Sequence, residues 1–491
     1  MSDDFLTSEQ TENYGRYVAD PNEVQLARYF HLDERDLAFI NQRRGKHNRL
    51  GIALQLTTAR FLGTFLPDPL QIPSFIRFYI AAQLNISRPE VLSRYAEREN
   101  TRWEHQGLIK LYYDYHDFGD FPWSFRLKRL LYTRAWLSNE RPGLLFDFAT
   151  AWLLQNKILL PAASTLTRLI GEVRERASRR LWRRLALLPD SWQKTQLDGL
   201  LELPEGQRIS VLEEMRKGPV TISGPSFADA LERYTRLRSM EFSRLNFSGL
   251  PAIQLRNLAR YAGMASVKYI SRMPDERRLA VLTAFVKAQE ISALDEAVDV
   301  LDMLILDITR SAKNIGQKKR LRTLKDLDRA ALLLARACTL LLDENTDEAA
   351  LRQAIFRRIP KDKLAESVGK VNELARPQDT HFQNEMVEQY GRVKRFLSAM
   401  LRDLHFQAAP AGAAIHYLAE LSGSKKRILD DAPEQIISGP WKRLVYDRDG
   451  RILRAGYSLC LLERLQDSLR RRDLWLENSD RWGDPRQKLL Q

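Results

Sequence analysis

The residues best placed for chemistry are the acidic side chains of the segment LDEAVDVLDMLILD, where Asp295, Asp299 and Asp302 fall on one face of a predicted helix. Carboxylates arranged in this way can in principle hold paired magnesium ions. Two-metal nuclease sites usually draw their ligands from several elements, however, and the opposite face of this helix is apolar. We therefore interpret the aspartates as an acidic stripe that faces solvent or a partner, and we predict no catalytic residue. Metal-dependent nicking at this stripe is the alternative.

Other sequence signals of catalysis are missing. The chain has no Gly-x-x-x-x-Gly-Lys loop, no Gly-x-Gly-x-x-Gly fingerprint, no His-Glu-x-x-His and no Gly-x-Ser-x-Gly. Its seven histidines are scattered, and its two cysteines, Cys338 and Cys460, lie in apolar helical segments. We therefore predict no metal site and no cofactor for this chain.

Positive charge is the main chemical feature of the sequence. The 491 residues include 77 Lys and Arg against 63 Asp and Glu, which gives a formal net charge of +14. A basic surface of this kind is the electrostatic footprint of a nucleic-acid-binding protein. The places where the cations cluster indicate which segments would bind.

The first cluster, NQRRGKHNR, precedes a long apolar helix. A phosphate at a helix N-terminus gains helix-dipole and backbone N–H contacts, whereas cations there oppose the dipole. Structure alone therefore does not favour these cations, and Gly45 would let the backbone approach a partner closely. The DNA-contacting residues predicted here are Arg43, Arg44, Lys46, His47, Asn48 and Arg49.

The second cluster is RLIGEVRERASRRLWRR, with seven arginines and an apolar stripe of Leu169, Ile170, Val173, Ala177, Leu181 and Leu185. A break at Pro161, followed by Ser164 or Thr165 as N-cap, fits a helix-turn-helix whose second helix enters the major groove. A solvated helix face is the alternative. The DNA-contacting residues predicted here are Thr165, Arg168, Arg174, Arg176, Arg179 and Arg180.

Two further segments are candidates. A break at Glu99–Thr101 predicts another helix-turn-helix-like unit, in which Thr101, Arg102 and His105 face DNA and Trp103 packs in the core. A solvated surface turn is the alternative. The run Arg310–Arg336 has nine cations against two carboxylates, and Asn314-Ile315-Gly316 predicts a flexible interruption in it. Sequence-independent phosphate contacts are predicted there for Lys318, Lys319, Arg320 and Arg322.

The elements that must carry these clusters are helices. Apolar residues recur at spacings of three and four almost everywhere, which predicts a predominantly all-α fold. The exception is KRLVYDRDGRI (442–452), where Asp449-Gly450 could turn a small β-hairpin. Breaks in the pattern predict four helical segments: 1–142 and 143–219 for DNA binding, 227–377 for dimerisation and phosphate contact, and 378–491 as a linker region.

The compartment can also be predicted. The amino terminus, MSDDFLTSEQ, is polar and acidic and is not a signal peptide, and no stretch is apolar enough to cross a membrane. We expect a cytoplasmic protein.

Several stretches of the sequence resemble Tn3-family transposases. They are Ala19-Asp20-Pro21 with LARYFHLDERDLAFI, then RRGKHNRLGIALQLTTARFLGTFLPDPLQIP, ILLPAASTLTRLIGEVRERASRRLWRRL and, near the end, LERLQDSLRRRDLWLENSDRWGDPRQKLL. The most specific is RRGKHNRLGIALQL with the LPDP that follows it. The resemblance covers essentially the whole chain.

The resemblance implies a bacterial, nucleoid-associated protein of replicative transposition. Members bind the terminal inverted repeats of their element through helical domains, dimerise, and cut and join DNA at a magnesium-dependent Asp-Asp-Glu site on an RNase-H-like fold. The mixed β pattern of such a fold does not occur in this sequence.

We therefore expect a truncated or separately encoded DNA-binding half of a Tn3-type transposase. It would be a homodimer on double-stranded DNA, with magnesium needed only by the catalytic half. The alternative is a regulatory or assembly protein that dimerises with a full-length transposase and does no chemistry.

Overall fold

The computed structural model describes residues 5–97, 99–342, 351–375, 382–407, 411–420 and 426–488. The chain forms two compact units. Unit 1 consists of Met1–Leu188, Asn246–Met264 and Arg272–Ala284. Unit 2 consists of Pro189–Leu245, Ala265–Ser271 and Phe285–Gln491. The four segment boundaries predicted from the sequence stay predictions.

Helices make up most of the described residues, so the predicted all-α class is confirmed. The first group comprises α1 (Ser8–Asn13), α2 (Glu23–Gln25), α3 (Glu34–Asn41), α4 (Lys46–Leu62), α5 (Ser74–Gln83), α6 (Leu92–Ala96), α7 (Glu99–Tyr113), α8 (Trp123–Leu137), α9 (Pro142–Gln155), α10 (Ala163–Ala186), α11 (Ser191–Gly199), α12 (Val211–Met215) and α13 (Gly224–Ser239). The second comprises α14 (Ala252–Met264), α15 (Val267–Ser271), α16 (Asp275–Leu341), α17 (Leu351–Arg358), α18 (Lys361–Ala375), α19 (Gln383–Glu388), α20 (Tyr390–Asp403), α21 (Ala411–Glu420), α22 (Lys442–Val445) and α23 (Arg454–Arg471). A π-helical turn covers Leu26–Phe30, and short 3-10 turns cover Pro69–Gln71, Pro89–Val91, Phe242–Arg244, Glu434–Ile436, Gly439–Trp441 and Pro485–Lys488.

The strands have two residues each. Strand β1 (Phe406–Gln407) pairs antiparallel with β4 (Trp475–Leu476), with Phe406 opposite Leu476. Strand β2 (Ile428–Leu429) pairs antiparallel with β3 (Ile452–Leu453), with Ile428 opposite Leu453.

The hairpin expected at 442–452 is smaller than the pattern indicated. A single bridge joins Tyr446 to Ile452 around a turn in which Gly450 has φ +77°. The residues before it are helical, because the 3-10 turn Gly439–Trp441 leads directly into α22. Trp441 anchors this helical start, since its indole is fully buried and donates from Nε1 to Glu463.

Helix α16 is continuous over 67 residues, so the predicted interruption at Asn314-Ile315-Gly316 is wrong. One glycine within a helix costs only about 1 kcal/mol, which tertiary packing outweighs. The packing is visible here, because a Cβ on Gly316 would lie 3.7 Å from Cγ of Glu385 on α19. Lys319 adds an ion pair to the same glutamate, Nζ to Oε2 2.8 Å.

Two hydrophobic cores of unit 1 position its basic surfaces. The first takes in α4, whose residues from Leu50 to Ala59 are all buried, so that Lys46 at its start is the exposed residue of the helix. The second joins α8, α9 and α10 through Leu127, Leu131, Leu145 and Leu169. The apolar stripe predicted for α10 is confirmed, since all six of its members are buried.

Unit 2 has its own apolar interior. Helix α13 packs on α20, where the rings of Phe227 and Phe396 meet edge to face with centroids 5.6 Å apart. Helix α23 is buried along Tyr457–Leu462. Within the described ranges, none of the helices in either unit combines the length and apolarity needed to cross a bilayer.

Candidate nucleic-acid interface

Helix α10 carries six exposed arginines, more than any other helix of unit 1. It begins at Ala163 after Ala162, whose backbone is extended (ψ 144°), and no side chain caps it. The predicted N-cap at Ser164 or Thr165 is therefore wrong, and Thr165 is a half-buried residue of the first turn. The start lies earlier than predicted because the chain turns directly after Pro161.

The arginines of α10 differ in availability. Those exposed to solvent are Arg168, Arg176, Arg179, Arg180, Arg183 and Arg184. Arg174 is half-buried, and burial lowers the pKa of its guanidinium below the usual value. Arg179 pairs with Glu175 one turn away, and Arg168 lies 3.9 Å from Glu172, Nε to Oε1. Exposed pairs of this kind are worth little and exchange readily for a phosphate.

Helix α8 adds cations that were not predicted from the sequence. Lys128 and Arg129 are exposed, and Arg126 extends over the ring of Trp123, with Cζ 5.1 Å from the ring centroid. Arg180 of α10 donates from Nη1 to the Tyr132 hydroxyl at 3.1 Å. The two helices thus form the walls of one basic groove, called here the α8–α10 groove. The signal was present in the sequence FRLKRLL, in which Leu127 and Leu131 face the core and two of the cations lie between them.

The first turn of α4 forms a second basic surface. Gly45 precedes it with φ +84°, and a Cβ there would lie 2.9 Å from Cε1 of His47. The first turn carries no acidic residue and no side-chain cap. Cations, and not a carboxylate, therefore lie beside the free backbone N–H groups of this turn. Both the cations and the N–H groups would stabilise a bound anion.

Part of this cluster has a structural role. Arg49 donates from Nε to the carbonyl of Arg43 at 2.9 Å and from Nη2 to that of Asn41 at 3.3 Å. Asn48 donates to the carbonyl of Arg44 at 2.9 Å. These bonds satisfy the carbonyl of Asn41, the last residue of α3, and two carbonyls of the loop that leads into α4. The cations left at the surface of the turn are Arg44 and Lys46, while Arg43 lies against the ring of Phe39.

The structure of helix α7 contradicts the prediction that His105 contacts DNA. His105 is 5% exposed, and its Nδ1 lies 3.0 Å from the hydroxyl of Tyr95. Burial, with a smaller contribution from the charge of Arg43, lowers the pKa of His105 to about 4. His105 is therefore a neutral core residue and does not face DNA.

The other residues of α7 are placed accordingly. Trp103, expected in the core, is 66% exposed. Arg102 is half-buried and donates to the carbonyl of Pro67 at 2.7 Å. Thr101 is half-buried in the first turn, because the helix begins at Glu99 and not after Thr101. The start at Glu99 decides which residues face the core.

The cations predicted on α16 are not equivalent. Lys318 is exposed, whereas Lys319 pairs with both Glu385 and Glu388, Nζ to carboxylate oxygen 2.8 and 3.1 Å. Lys319 thus contributes to the packing of α19, and its contact with phosphate stays a prediction. Arg320 and Arg322 belong to the helix, but their side chains lie outside the described residues.

The acidic stripe of α16 is covered by the chain's own later residues, so the expectation of a solvated or partner-facing stripe is wrong. Asp302 accepts two bonds from Arg470, each 2.9 Å. Asp299 accepts from Nε1 of Trp482 at 2.9 Å, and Asp295 accepts from the Ser479 hydroxyl. Each carboxylate is thus engaged by a donor, an arrangement unlike a metal site. Burial raises the pKa of Asp295.

Comparison with known proteins identifies relatives along the whole chain. A family described as "Domain of unknown function (DUF4158)" matches residues 5–173. The transposase for transposon gamma-delta of Escherichia coli K12 is 78% identical over 100% of this chain and 49% of its own length. The transposase for transposon Tn501 of Pseudomonas aeruginosa is 29% identical over 94% of this chain and 47% of its own length. The transposase for transposon Tn1546 of Enterococcus faecium is 26% identical over 98% of this chain and 49% of its own length.

These matches correct one expectation. The description of the chain as a truncated half is not supported, since the alignment with the gamma-delta transposase covers the whole of this chain. The chain spans about half the length of the curated relatives it matches. Over nearly its whole length, the amino-acid sequence of the chain is similar to these three transposases.

Proposed function

We propose that the chain binds double-stranded DNA through unit 1 and reads the terminal inverted repeats of a Tn3-type transposon during DNA transposition. The observation that carries the proposal is the concentration of exposed cations on α8, α10 and the first turn of α4. Lys128, Arg129 and Arg176 form no ion pair among the described residues. The relatives named above are transposases, and this supplies the biological setting of the proposal.

The geometry of α10 favours contacts with phosphates along a groove. From Arg168 to Arg184 the helix rises about 24 Å at 1.5 Å per residue. That length matches several successive phosphates of a duplex, which carry one charge per roughly 1.7 Å of axis. Base edges would be read by whichever of these side chains reaches into the groove, since phosphate contacts position a protein and base contacts specify the sequence.

The proposal requires no cofactor in this chain, and magnesium would serve catalytic residues elsewhere. Self-association into a homodimer on paired repeats is part of the proposal, and light scattering of the purified chain would test it.

The binding proposal is tested by the salt dependence of affinity. We would measure fluorescence anisotropy of a duplex carrying the terminal sequence of transposon gamma-delta, with the wild-type chain and with Arg168→Ala and Arg176→Ala. Each lost phosphate contact should lower the slope of log affinity against log salt by about 0.9.

Arg402→Ala is the matched control. Arg402 is 72% exposed, similar to the 69% of Arg168, and its charge is already paired with Asp403. Its slope should equal that of the wild type. Equal slopes for all four proteins would overturn the assignment of α10 and favour the regulatory or assembly protein.

A further inference from the structure

The floor of the α8–α10 groove is apolar, and contacts with phosphates would not use it. Phe125 is 59% exposed at its edge, and Tyr132, Leu169 and Val173 complete an apolar lining. The groove encloses about 650 Å³, within the range of small-molecule and cofactor sites. A duplex backbone presents phosphates and sugars on a convex surface, and such a surface leaves an apolar concave floor unused.

The rim of the groove is cationic on both sides. Lys128 and Arg129 follow Phe125 at the third and fourth positions, so they lie beside it on one face of α8. Arg176 and Arg180 stand on the facing side of α10, and Glu172 is the one carboxylate of the lining. The groove therefore combines an apolar floor with four positive charges on its rim.

This combination is complementary to an unpaired nucleotide. A base exposes an apolar face and carries a phosphate on each side, and single-strand-binding proteins use aromatic rings with cationic flanks for that reason. We propose that the α8–α10 groove binds single-stranded nucleic acid, with a base against Phe125 and the neighbouring phosphates on Lys128, Arg129 and Arg176. The inference goes beyond duplex recognition and does not require it.

The test uses the full chain and a labelled oligodeoxythymidine of roughly a dozen nucleotides, a length in the range of single-strand sites. Phe125→Ala should lower its affinity by about five- to 150-fold, the range for loss of one stacking ring. Phe125→Tyr keeps the ring and should keep the affinity. Phe78→Ala is the matched control, because Phe78 is 57% exposed and belongs to the same unit.

A duplex arm separates this inference from the proposed function. If the wild type fails to bind the inverted-repeat duplex while Phe125→Ala still weakens oligodeoxythymidine binding, the proposed function fails and the groove assignment stands. Duplex binding together with unchanged oligodeoxythymidine affinity in Phe125→Ala overturns the groove assignment alone. Polyglutamate serves as a competitor that carries negative charge but no bases. If it displaces the labelled oligonucleotide as effectively as unlabelled oligodeoxythymidine does, the groove is merely a basic surface and its assignment is overturned.

Discussion

The buried imidazole of His105 should make the stability of unit 1 depend on pH. Gln55 donates from Nε2 to the Tyr95 oxygen at 2.8 Å, so the Tyr95 proton is directed to Nδ1 of His105, 3.0 Å away. Protonating Nδ1 would remove this acceptor and leave a charge in the core. The perturbation we choose is His105→Gln, which removes the titrating group and keeps hydrogen-bonding capacity.

The magnitude follows from linkage. Burial lowers the pKa of His105 in the folded chain from 6.5 to about 4, so below pH 6.5 the unfolded chain takes up the proton first. The stabilisation is complete above pH 6.5 and is lost as the pH falls towards 4. Between pH 7 and pH 5 this group alone should lower the free energy of unfolding by about 2 kcal/mol.

The assay is urea unfolding of the wild type and His105→Gln at pH 7 and pH 5. The variant should be less stable at pH 7, and its loss between the two pH values should be smaller than that of the wild type by about 2 kcal/mol. His31→Gln is the control, because His31 is exposed in the same unit. An identical pH dependence in His105→Gln and the wild type would refute the reasoning.

Two buried carboxylates, Asp36 and Glu290, are predicted to have opposite effects on the free energy of unfolding when they are neutralised. Asp36 is 1% exposed and is held by Arg60 at 2.6 and 2.7 Å and by the Tyr113 hydroxyl at 2.7 Å, so Asp36→Asn should cost about 3–5 kcal/mol in urea unfolding. Asp117→Asn, at an exposed pair with Lys110, should cost at most about 1 kcal/mol, and equal losses would contradict this account. Glu290 is 3% exposed and burial raises its pKa, so its charged form destabilises the fold as the pH rises above the usual carboxylate range. Glu290→Gln should therefore raise the unfolding free energy at pH 7 by about 1–3 kcal/mol and lose that advantage at pH 4; a less stable variant at pH 7 would count against it.

Local patterns predicted the helices and their buried faces well. The stripe from Leu169 to Leu185 on α10 follows directly from the spacing of three and four. The basic clusters of α4 and α10 could be found in the sequence, because charge density needs no tertiary information.

Side-chain roles that depend on distant partners could not be read from the sequence. His105 was predicted to face DNA and Trp103 to lie in the core, whereas the structure buries His105 and exposes Trp103. The hydrogen bond between His105 and Tyr95 forms only in the fold, so a local pattern could not show it. Lys319 and Glu385 are 66 residues apart, and their ion pair is invisible to a local pattern. The α8 cations were overlooked because they become a site only opposite α10.

The central claim is tested most directly by the sequence preference of the chain. Anisotropy titrations at two salt concentrations would compare the gamma-delta terminal duplex with a scrambled duplex of the same composition. We predict a preference of about 1000-fold or more, the lower range for sequence-specific proteins. Equal, salt-sensitive affinity for both duplexes would contradict the account and leave only a basic surface.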